Sequence, residues 1–246
     1  MQVGVIFLTI CAYGLAIFLW SRERTPNYLV AMLGAHLAVL LSPLWQALYG
    51  FVYDTRLPAL YGFGGGQLQA LPRLALPWPV FLGAWLAVAP ALAVFYLFRH
   101  RWWFPGYATS LLTFVLFVLY HLLIETICVR QGWLRYTRDV SLPLNVPQPL
   151  LSALMNGLVS LGMLAALLLT RRYSLGSLLT IVLPIPLALS LLVHGLLGAP
   201  LYTALLLEAQ SWAALIGLIG TLGLLASGAH IIAGSLERPR EWRQTI

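Results

Sequence analysis

The pattern of apolar and polar positions divides the chain into seven long apolar segments separated by shorter polar ones. These segments cover approximately residues 2–20, 28–52, 77–98, 106–129, 148–170, 175–198 and 203–235. Most reach the roughly 20 residues that an α-helix needs to cross the core of a bilayer. A β-barrel would instead show short segments of alternating polarity. We therefore expect one integral membrane domain over residues 1–246, an all-α polytopic bundle of seven transmembrane helices.

The composition supports this class and excludes others. The chain is 61% hydrophobic and 9% charged, against about 25% charged residues in soluble domains. It contains no lysine, so it cannot form the lysine Schiff base on which a retinal protein depends. The net charge of +7 comes from arginines at the ends of the apolar segments, a placement typical of topology signals and headgroup anchoring. We expect the lipid bilayer as a partner and no nucleic acid.

The distribution of arginines predicts the orientation. Nine lie in segments that a seven-span topology places on one side, and five lie on the other side. The first group is Arg22, Arg24, Arg99, Arg101, Arg171, Arg172, Arg238, Arg240 and Arg243, and the second is Arg56, Arg73, Arg130, Arg135 and Arg138. The positive-inside rule then places the amino terminus outside and the carboxyl terminus in the cytoplasm. The first apolar segment has no basic residue before it, so we interpret it as a retained span and not as a signal peptide.

Proline and glycine mark the sixth and seventh segments. Pro184 and Pro186 predict a kink near the middle of the sixth segment, which either serves packing or opens a pocket beside His194. In the seventh segment Gly217, Gly220 and Gly223 form a stripe of small residues that lets another helix approach closely. A weak internal repeat joins LYGFVYD, which ends the second segment, to QGWLRY, which follows the fourth.

The polar residues inside the apolar segments are the candidates for chemistry. Only Glu125 and Glu208 are acidic residues within these segments, and a carboxyl at such a depth is costly and therefore suggests a function. His121 and Glu125 lie on one face of the fourth helix because they are four residues apart. His194 and Glu208 are expected at the same outer level, so that three helices, the fourth, sixth and seventh, would form one pocket.

Three interpretations of this outer cluster remain open. In the first, Glu125 is part of a structural network with His121 or Arg130. In the second, a carboxyl among apolar side chains stays protonated and donates its proton to a carbon–carbon double bond. Aromatic faces nearby would then stabilise the carbocation.

The third interpretation is a haem b site between two facing histidines. His121 and His194 could pair at the outer level, and His36 and His230 at the inner level. A zinc hydrolase is not indicated, because the chain lacks HxxxH and HExxH patterns. Cys11 and Cys128 are expected at different depths, so we predict neither a disulfide nor a metal site from them.

The stretch from His121 to Asn145 carries a family resemblance. Ile124-Glu125, then Gly132-Trp133 and Tyr136, then Leu142-Pro143-Leu144-Asn145 follow one another before the next apolar segment. This order resembles the membrane family of carotenoid biosynthesis that includes bisanhydrobacterioruberin hydratase. The chain departs from that family at Thr126, where many members have proline, and in the first half, which has no acidic residue equivalent to Glu125. The HLLIE string is also similar to the His-x-x-x-Glu of the sterol-isomerase family.

The resemblance implies an enzyme that hydrates or cyclises an end group of an apolar isoprenoid or carotenoid, in a bacterial or archaeal cytoplasmic membrane. Glu125 would donate the proton, His121 would set its protonation and Glu208 would supply the second carboxylate. Trp133, Tyr136, His194 and Asn145 would bind the substrate. The alternative is a non-enzymatic membrane subunit that binds a pigment, haem or quinone together with other subunits.

Overall fold

The computed structural model describes residues 2–63, 74–136, 146–206 and 211–237. These residues are mostly helical, and six helical runs are long and apolar enough to cross a membrane. The runs are Val3–Glu23, Trp78–Arg99, Tyr107–Arg130, Gln148–Thr170, Leu175–Leu197 and Trp212–Leu236. A bent pair, Asn27–Val39 with Ser42–Tyr49, makes a seventh if it is one span. The described residues thus form a helix bundle with six to seven candidate spans, in line with the predicted class.

The predicted second span is not one straight helix. Helix α1 (Gln2–Glu23) is followed by α2 (Asn27–Val39) and α3 (Ser42–Tyr49), and α2 and α3 are bent by 52°. Pro43 lies in the first turn of α3. Because proline has no N–H, it cannot continue the hydrogen-bond ladder of α2. The bend therefore has a local cause in the sequence.

Short strands, which the apolar pattern did not predict, follow α3. Gly50 ends α3 with a left-handed φ of 65° and leads into β1 (Phe51–Tyr53). Strands β2 (Ala59–Phe63) and β3 (Leu74–Pro77) form an antiparallel pair. The third span then consists of α4 (Trp78–Leu82), a 3₁₀ segment (Gly83–Ala87) and α5 (Ala89–Arg99).

Helix α7 (Gln148–Thr170) is the centre of the bundle. Most of its residues are buried, whereas most residues of the other candidate spans are only partly buried or exposed. It packs closely on α6 (Tyr107–Arg130), since a Cβ at Gly157 would lie 2.6 Å from the Val118 side chain. A helix that is apolar on all sides and buried on all sides belongs in the interior, and the remaining helices present their apolar faces outward, as lipid contact requires.

The sixth span is broken where the prolines predicted a kink. It consists of α8 (Leu175–Ile181), α9 (Ile185–Ser190) and a π-helix (Leu191–Leu197). The bend turns the Leu183 carbonyl toward α2, where a Cβ at Gly34 would lie 2.5 Å from that oxygen. The break is therefore part of the packing between α2 and α9.

The predicted seventh span, 203–235, is wrong at its start. Residues from Ala199 to Leu206 form a separate helix, α10, and the long helix α11 runs from Ser211 to Glu237. The two pack side by side, because a Cβ at Gly217 would lie 2.6 Å from the Pro200 carbonyl oxygen. The glycine stripe thus serves packing, as predicted, at Gly217 and Gly220, whereas a Cβ at Gly223 would meet nothing within 4 Å.

Two contacts fix which segments share an end of the bundle. Strand β4 (Leu134–Tyr136), which follows α6, pairs antiparallel with β1, so the segments after α3 and α6 lie together. At another place Arg99 forms an ion pair with Glu23, which joins the ends of α1 and α5. Both contacts are expected for a chain that crosses a membrane back and forth, because every second connection then lies at the same end of the bundle. The absolute orientation remains a prediction from the arginine distribution.

Candidate functional site

Glu125 lies near the end of α6, and the chain returns over it immediately afterwards. Gly132 has a left-handed φ of 68°, and the Gly132 N–H donates to the Val129 carbonyl at 3.0 Å while the Trp133 N–H donates to the Cys128 carbonyl at 2.9 Å. This pair of bonds is the Schellman arrangement that reverses a chain at a helix end. Strand β4 begins two residues later, and the Tyr136 hydroxyl donates a hydrogen bond to Oε1 of Glu125.

The sheet register positions Tyr136. Phe51 pairs with Tyr136 and Tyr53 pairs with Leu134. Since paired residues of antiparallel strands share a face and alternate along each strand, these four side chains form one face of the β1–β4 sheet. Ring contacts confirm it: the centroids of Phe51 and Tyr136 are 6.3 Å apart, and those of Phe51 and Tyr53 are 5.5 Å apart. Arg135, between these positions, is exposed.

A chain of hydrogen bonds extends from Glu125 through α7 to the sixth span. The Ser152 hydroxyl hydrogen-bonds the Glu125 carboxyl, and Asn156 Nδ2 donates to Ser152 Oγ at 3.4 Å. Asn156 Oδ1 lies 3.2 Å from Nε2 of His194. Because that oxygen can only accept, Nε2 carries the proton, and Nδ1 of His194 accepts from the Tyr49 hydroxyl. Every donor in the chain therefore points toward the carboxyl. We call these five residues the Glu125 chain.

Aromatic and sulfur-containing side chains surround this chain. The Tyr49 hydroxyl lies 2.7 Å from the Met155 sulfur, and the Tyr202 hydroxyl donates to the same sulfur at 3.2 Å. The rings of Tyr49 and Tyr202 meet edge to face with centroids 4.8 Å apart. Trp45 packs against His194 at 5.3 Å. The site is thus a carboxyl beside several electron-rich rings, the environment that stabilises a carbocation.

The site combines buried and half-buried groups. His194 and Tyr202 are buried, whereas Glu125, Ser152 and Tyr136 are half-buried. Burial, followed by the neighbouring Glu125 carboxyl, raises the pKa of Tyr136 well above its usual value. The Tyr136 phenol therefore remains a hydrogen-bond donor to Glu125 over the whole physiological pH range.

His121 shares helix α6 with Glu125, but its hydrogen bond goes to another helix. Its Nε2 lies 2.8 Å from Ser160 Oγ, and the Ser160 hydroxyl donates to the Ala87 carbonyl at 3.2 Å. Since Ser160 has one proton, His121 donates through Nε2. The imidazole of His121 is thus joined to α7. His121 braces α6, α7 and the 3₁₀ segment.

The histidines named for the haem alternative have partners in the structure. Both nitrogens of His194 are engaged, with Tyr49 and Asn156. His36 contacts Tyr13 and Phe81, on α1 and α4. His230 instead bonds Tyr107 on α6. The residues that the structure describes also contain no group of three His, Cys, Asp or Glu side chains that could hold a metal.

The remaining predicted site residues lie apart from this network or outside the described residues. Trp133 joins the two strands, since its carbonyl accepts from the Asp54 N–H at 3.0 Å. Glu208 and Asn145 fall in the stretches 207–210 and 137–145, which lie outside the described residues. Cys11 and Cys128 are free thiols.

Sequence reasoning missed Tyr49, Ser152, Asn156 and Tyr202. Ser152 and Asn156 had a signal, since two polar residues four apart share a face of an otherwise apolar helix. Tyr49 and Tyr202 had no such signal, because tyrosines near span ends are common interfacial anchors.

No family model, curated protein or solved structure matches this chain.

Proposed function

We propose that the chain is an intramembrane enzyme that protonates a carbon–carbon double bond of an apolar isoprenoid, with Glu125 as the acid. The observation that carries the proposal is the half-buried Glu125 carboxyl, which accepts hydrogen bonds from Tyr136 and Ser152 at the end of an apolar helix. A carboxyl in such a place is costly. Two directed donors and a set of adjacent rings are the surroundings that acid catalysis on a hydrocarbon requires.

The reaction balances with the groups present and one water molecule. Glu125 transfers its proton to one carbon of the double bond, and the other carbon becomes a tertiary carbocation. The resulting carboxylate is stabilised by the Tyr136 and Ser152 hydroxyls, and the faces of Tyr49, Phe51 and Tyr136 stabilise the cation. Water then adds to the cation and returns a proton to Glu125. Alternatively a second double bond attacks, a ring closes, and the proton lost goes back to Glu125.

The test is the variant Glu125→Gln, which keeps the shape of the side chain and removes the proton. The gene is expressed in a host that accumulates an acyclic carotenoid, and products are measured by chromatography and mass spectrometry. We expect product to fall by at least about 100-fold, the contribution of a positioned general acid. Glu23→Gln serves as the control and should retain product. It alters a carboxyl that pairs with Arg99 and is distant from Glu125 in the sequence. Full activity of Glu125→Gln would refute the mechanism.

The spectrum of the purified protein separates the enzyme from a pigment-binding subunit. A colourless protein that turns over added polyene supports the enzyme. A three-peaked polyene band that copurifies in stoichiometric amount, without turnover, would support a carotenoid-binding subunit instead. A sharp Soret band would support the haem alternative and would contradict the engagement of both His194 nitrogens.

A further inference from the structure

A surface pocket of about 540 Å³ begins at Tyr53, at the end of strand β1, and none of the five residues of the Glu125 chain lines it. It is bounded by the end of β1, the turn 55–58 and the β2–β3 pair. The lining residues are Tyr53, Asp54, Thr55, Arg56, Leu57, Pro58, Ala59, Ala75 and Pro77. This position is at the same end of the bundle as Tyr136, because β1 pairs with β4.

The outer part of the pocket is polar and charged. Arg56 and Asp54 form an ion pair at 2.6 Å, with Arg56 exposed to solvent. Hydrogen bonds from Arg56 lower the pKa of Asp54 to about 2. Asp54 is therefore charged over the whole physiological range, and the outer part of the pocket remains hydrated. An apolar substrate would not enter there from the lipid.

The inner end of the pocket is Tyr53. Its hydroxyl bonds Ser42 Oγ at 3.1 Å, and its ring packs on Phe51 in the face of the sheet that carries Tyr136. Burial, with smaller contributions from Cys128 and Glu125, raises the pKa of Tyr53 to about 12. The Tyr53 hydroxyl is thus within electrostatic range of the carboxyl. Tyr53 therefore lines the pocket and also belongs to the sheet face whose Tyr136 bonds the candidate acid.

The floor of the pocket is rigid. Gln46 donates to the Ala75 carbonyl at 2.7 Å and accepts from the Ala75 N–H at 3.1 Å, so a buried amide clamps β3 to α3. Gln46 also donates to Ser42 at 3.4 Å, which in turn bonds Tyr53. A row of buried polar groups therefore continues from Tyr53, at the inner end of the pocket, through Ser42 to Gln46, and buried polar groups of this kind are the partners that an internal water needs.

We propose that this pocket is the route by which water reaches the Glu125 site from the aqueous side, with Tyr53 controlling its inner end. This inference rests on the proposed function. If water reaches the site by this route, water is the second substrate, and hydration is favoured over ring closure. The apolar substrate enters from the lipid, and the water that traps the cation enters from the pocket.

The access route is tested without any turnover, with Cys128 as reporter. Cys128 is half-buried and lies on α6, three residues after Glu125. In a Cys11→Ser background, the water-soluble thiol reagent methanethiosulfonate ethylammonium is added and the rate of labelling is measured by mass spectrometry. We expect Tyr53→Ala to raise the labelling rate at least about tenfold, equivalent to lowering the barrier by about 1.4 kcal/mol.

A second substitution separates access through the pocket from general loosening. Ala59 is an exposed residue of the pocket lining, so Ala59→Phe fills the pocket without entering the core. Added to Tyr53→Ala, it should return labelling to the original slow rate. Ala108→Phe, at an exposed position at the start of α6, is the matched control and should leave the fast rate unchanged. No acceleration in Tyr53→Ala, or no reversal by Ala59→Phe, would overturn the route.

The effect of the pocket on the reaction products can be measured separately. With water labelled by ¹⁸O, Ala59→Phe should lower the ratio of labelled alcohol to isomerised or cyclised product roughly tenfold while substrate is still consumed. An unchanged ratio in an active enzyme would overturn the role of the pocket in hydration. Absence of turnover in the unaltered protein, together with the expected Cys128 labelling, would instead refute the proposed function and leave the access route supported.

Discussion

At the scale of single residues, the Tyr136 hydroxyl positions the candidate acid. It donates a hydrogen bond to Oε1 of Glu125. The same bond strengthens when the carboxylate forms, since hydrogen bonds to a charged acceptor are about twice as strong as neutral ones. Tyr136 thus both orients the acid and stabilises its conjugate base.

Removal of this one hydroxyl gives a graded prediction. Tyr136→Phe retains the ring that packs on Phe51 but loses a hydrogen bond to a charged group, worth about 1.5–3 kcal/mol. Product formation should therefore fall by roughly 10- to 100-fold, less than for Glu125→Gln. The measurement is initial rate per amount of folded protein. Tyr120→Phe is the control, because its hydroxyl donates to the Leu86 carbonyl away from the carboxyl; an equal loss in both variants would show that the effect is structural.

At the scale of elements, the sequence predicted the helices well and the connections poorly. Long apolar runs identify helices because a lipid-facing helix needs apolar residues on every side. The pairing of β1 with β4 depends on two glycines with left-handed φ, Gly50 and Gly132, and on contacts between residues more than 80 positions apart. The similarity between LYGFVYD and QGWLRY was a sequence signal for this pairing, because the two paired strands lie within these two segments.

The candidate site was partly predictable for the same reason. The cost of a carboxyl in an apolar helix identified Glu125 from sequence, and the resemblance identified Tyr136. His121 was assigned to Glu125 because helical spacing gives a shared face, but spacing does not say which neighbouring helix offers the better partner. Ser160 of α7 provides that partner. Helical spacing thus predicted a shared face but not the partner of His121 on another helix.

The broken sixth span yields a prediction about packing between elements. Gly34 of α2 faces the Leu183 carbonyl, and an added Cβ would lie 2.5 Å from that backbone oxygen. Because neither backbone can yield easily, Gly34→Ala should destabilise the protein by about 1–3 kcal/mol. Thermal unfolding in detergent, followed by circular dichroism, measures this. Gly14→Ala, where nothing lies within 4 Å of the added Cβ, should be neutral or slightly stabilising through helix propensity. Equal melting temperatures of the two variants would contradict the packing described.

At the scale of the whole molecule, α7 connects the site to the core. Its Ser152 and Asn156 belong to the Glu125 chain, and its Ser160 receives His121. Further along, its leucines from Leu158 to Leu168 are almost completely buried among the other helices. The helix that carries the polar network is therefore also the one with the most packing contacts. A hydrogen-bond network whose donors all point toward Glu125 benefits from a rigid helix, because the helix fixes the donors relative to one another.

The central position of α7 leads to a prediction that compares two leucines of this helix. Leu161 has no exposed surface, whereas Leu169 is 68% exposed. In a bilayer or detergent, the loss on Leu→Ala comes from the cavity and its missing dispersion contacts, since lipid is as apolar as the core. Leu161→Ala should therefore cost about 2 kcal/mol, the lower end of values for soluble cores. At Leu169 lipid tails fill the space, and the cost should remain within about 0.5 kcal/mol. Thermal unfolding of both variants in the same detergent decides the point, and similar losses at the two positions would mean that α7 is not enclosed by the bundle.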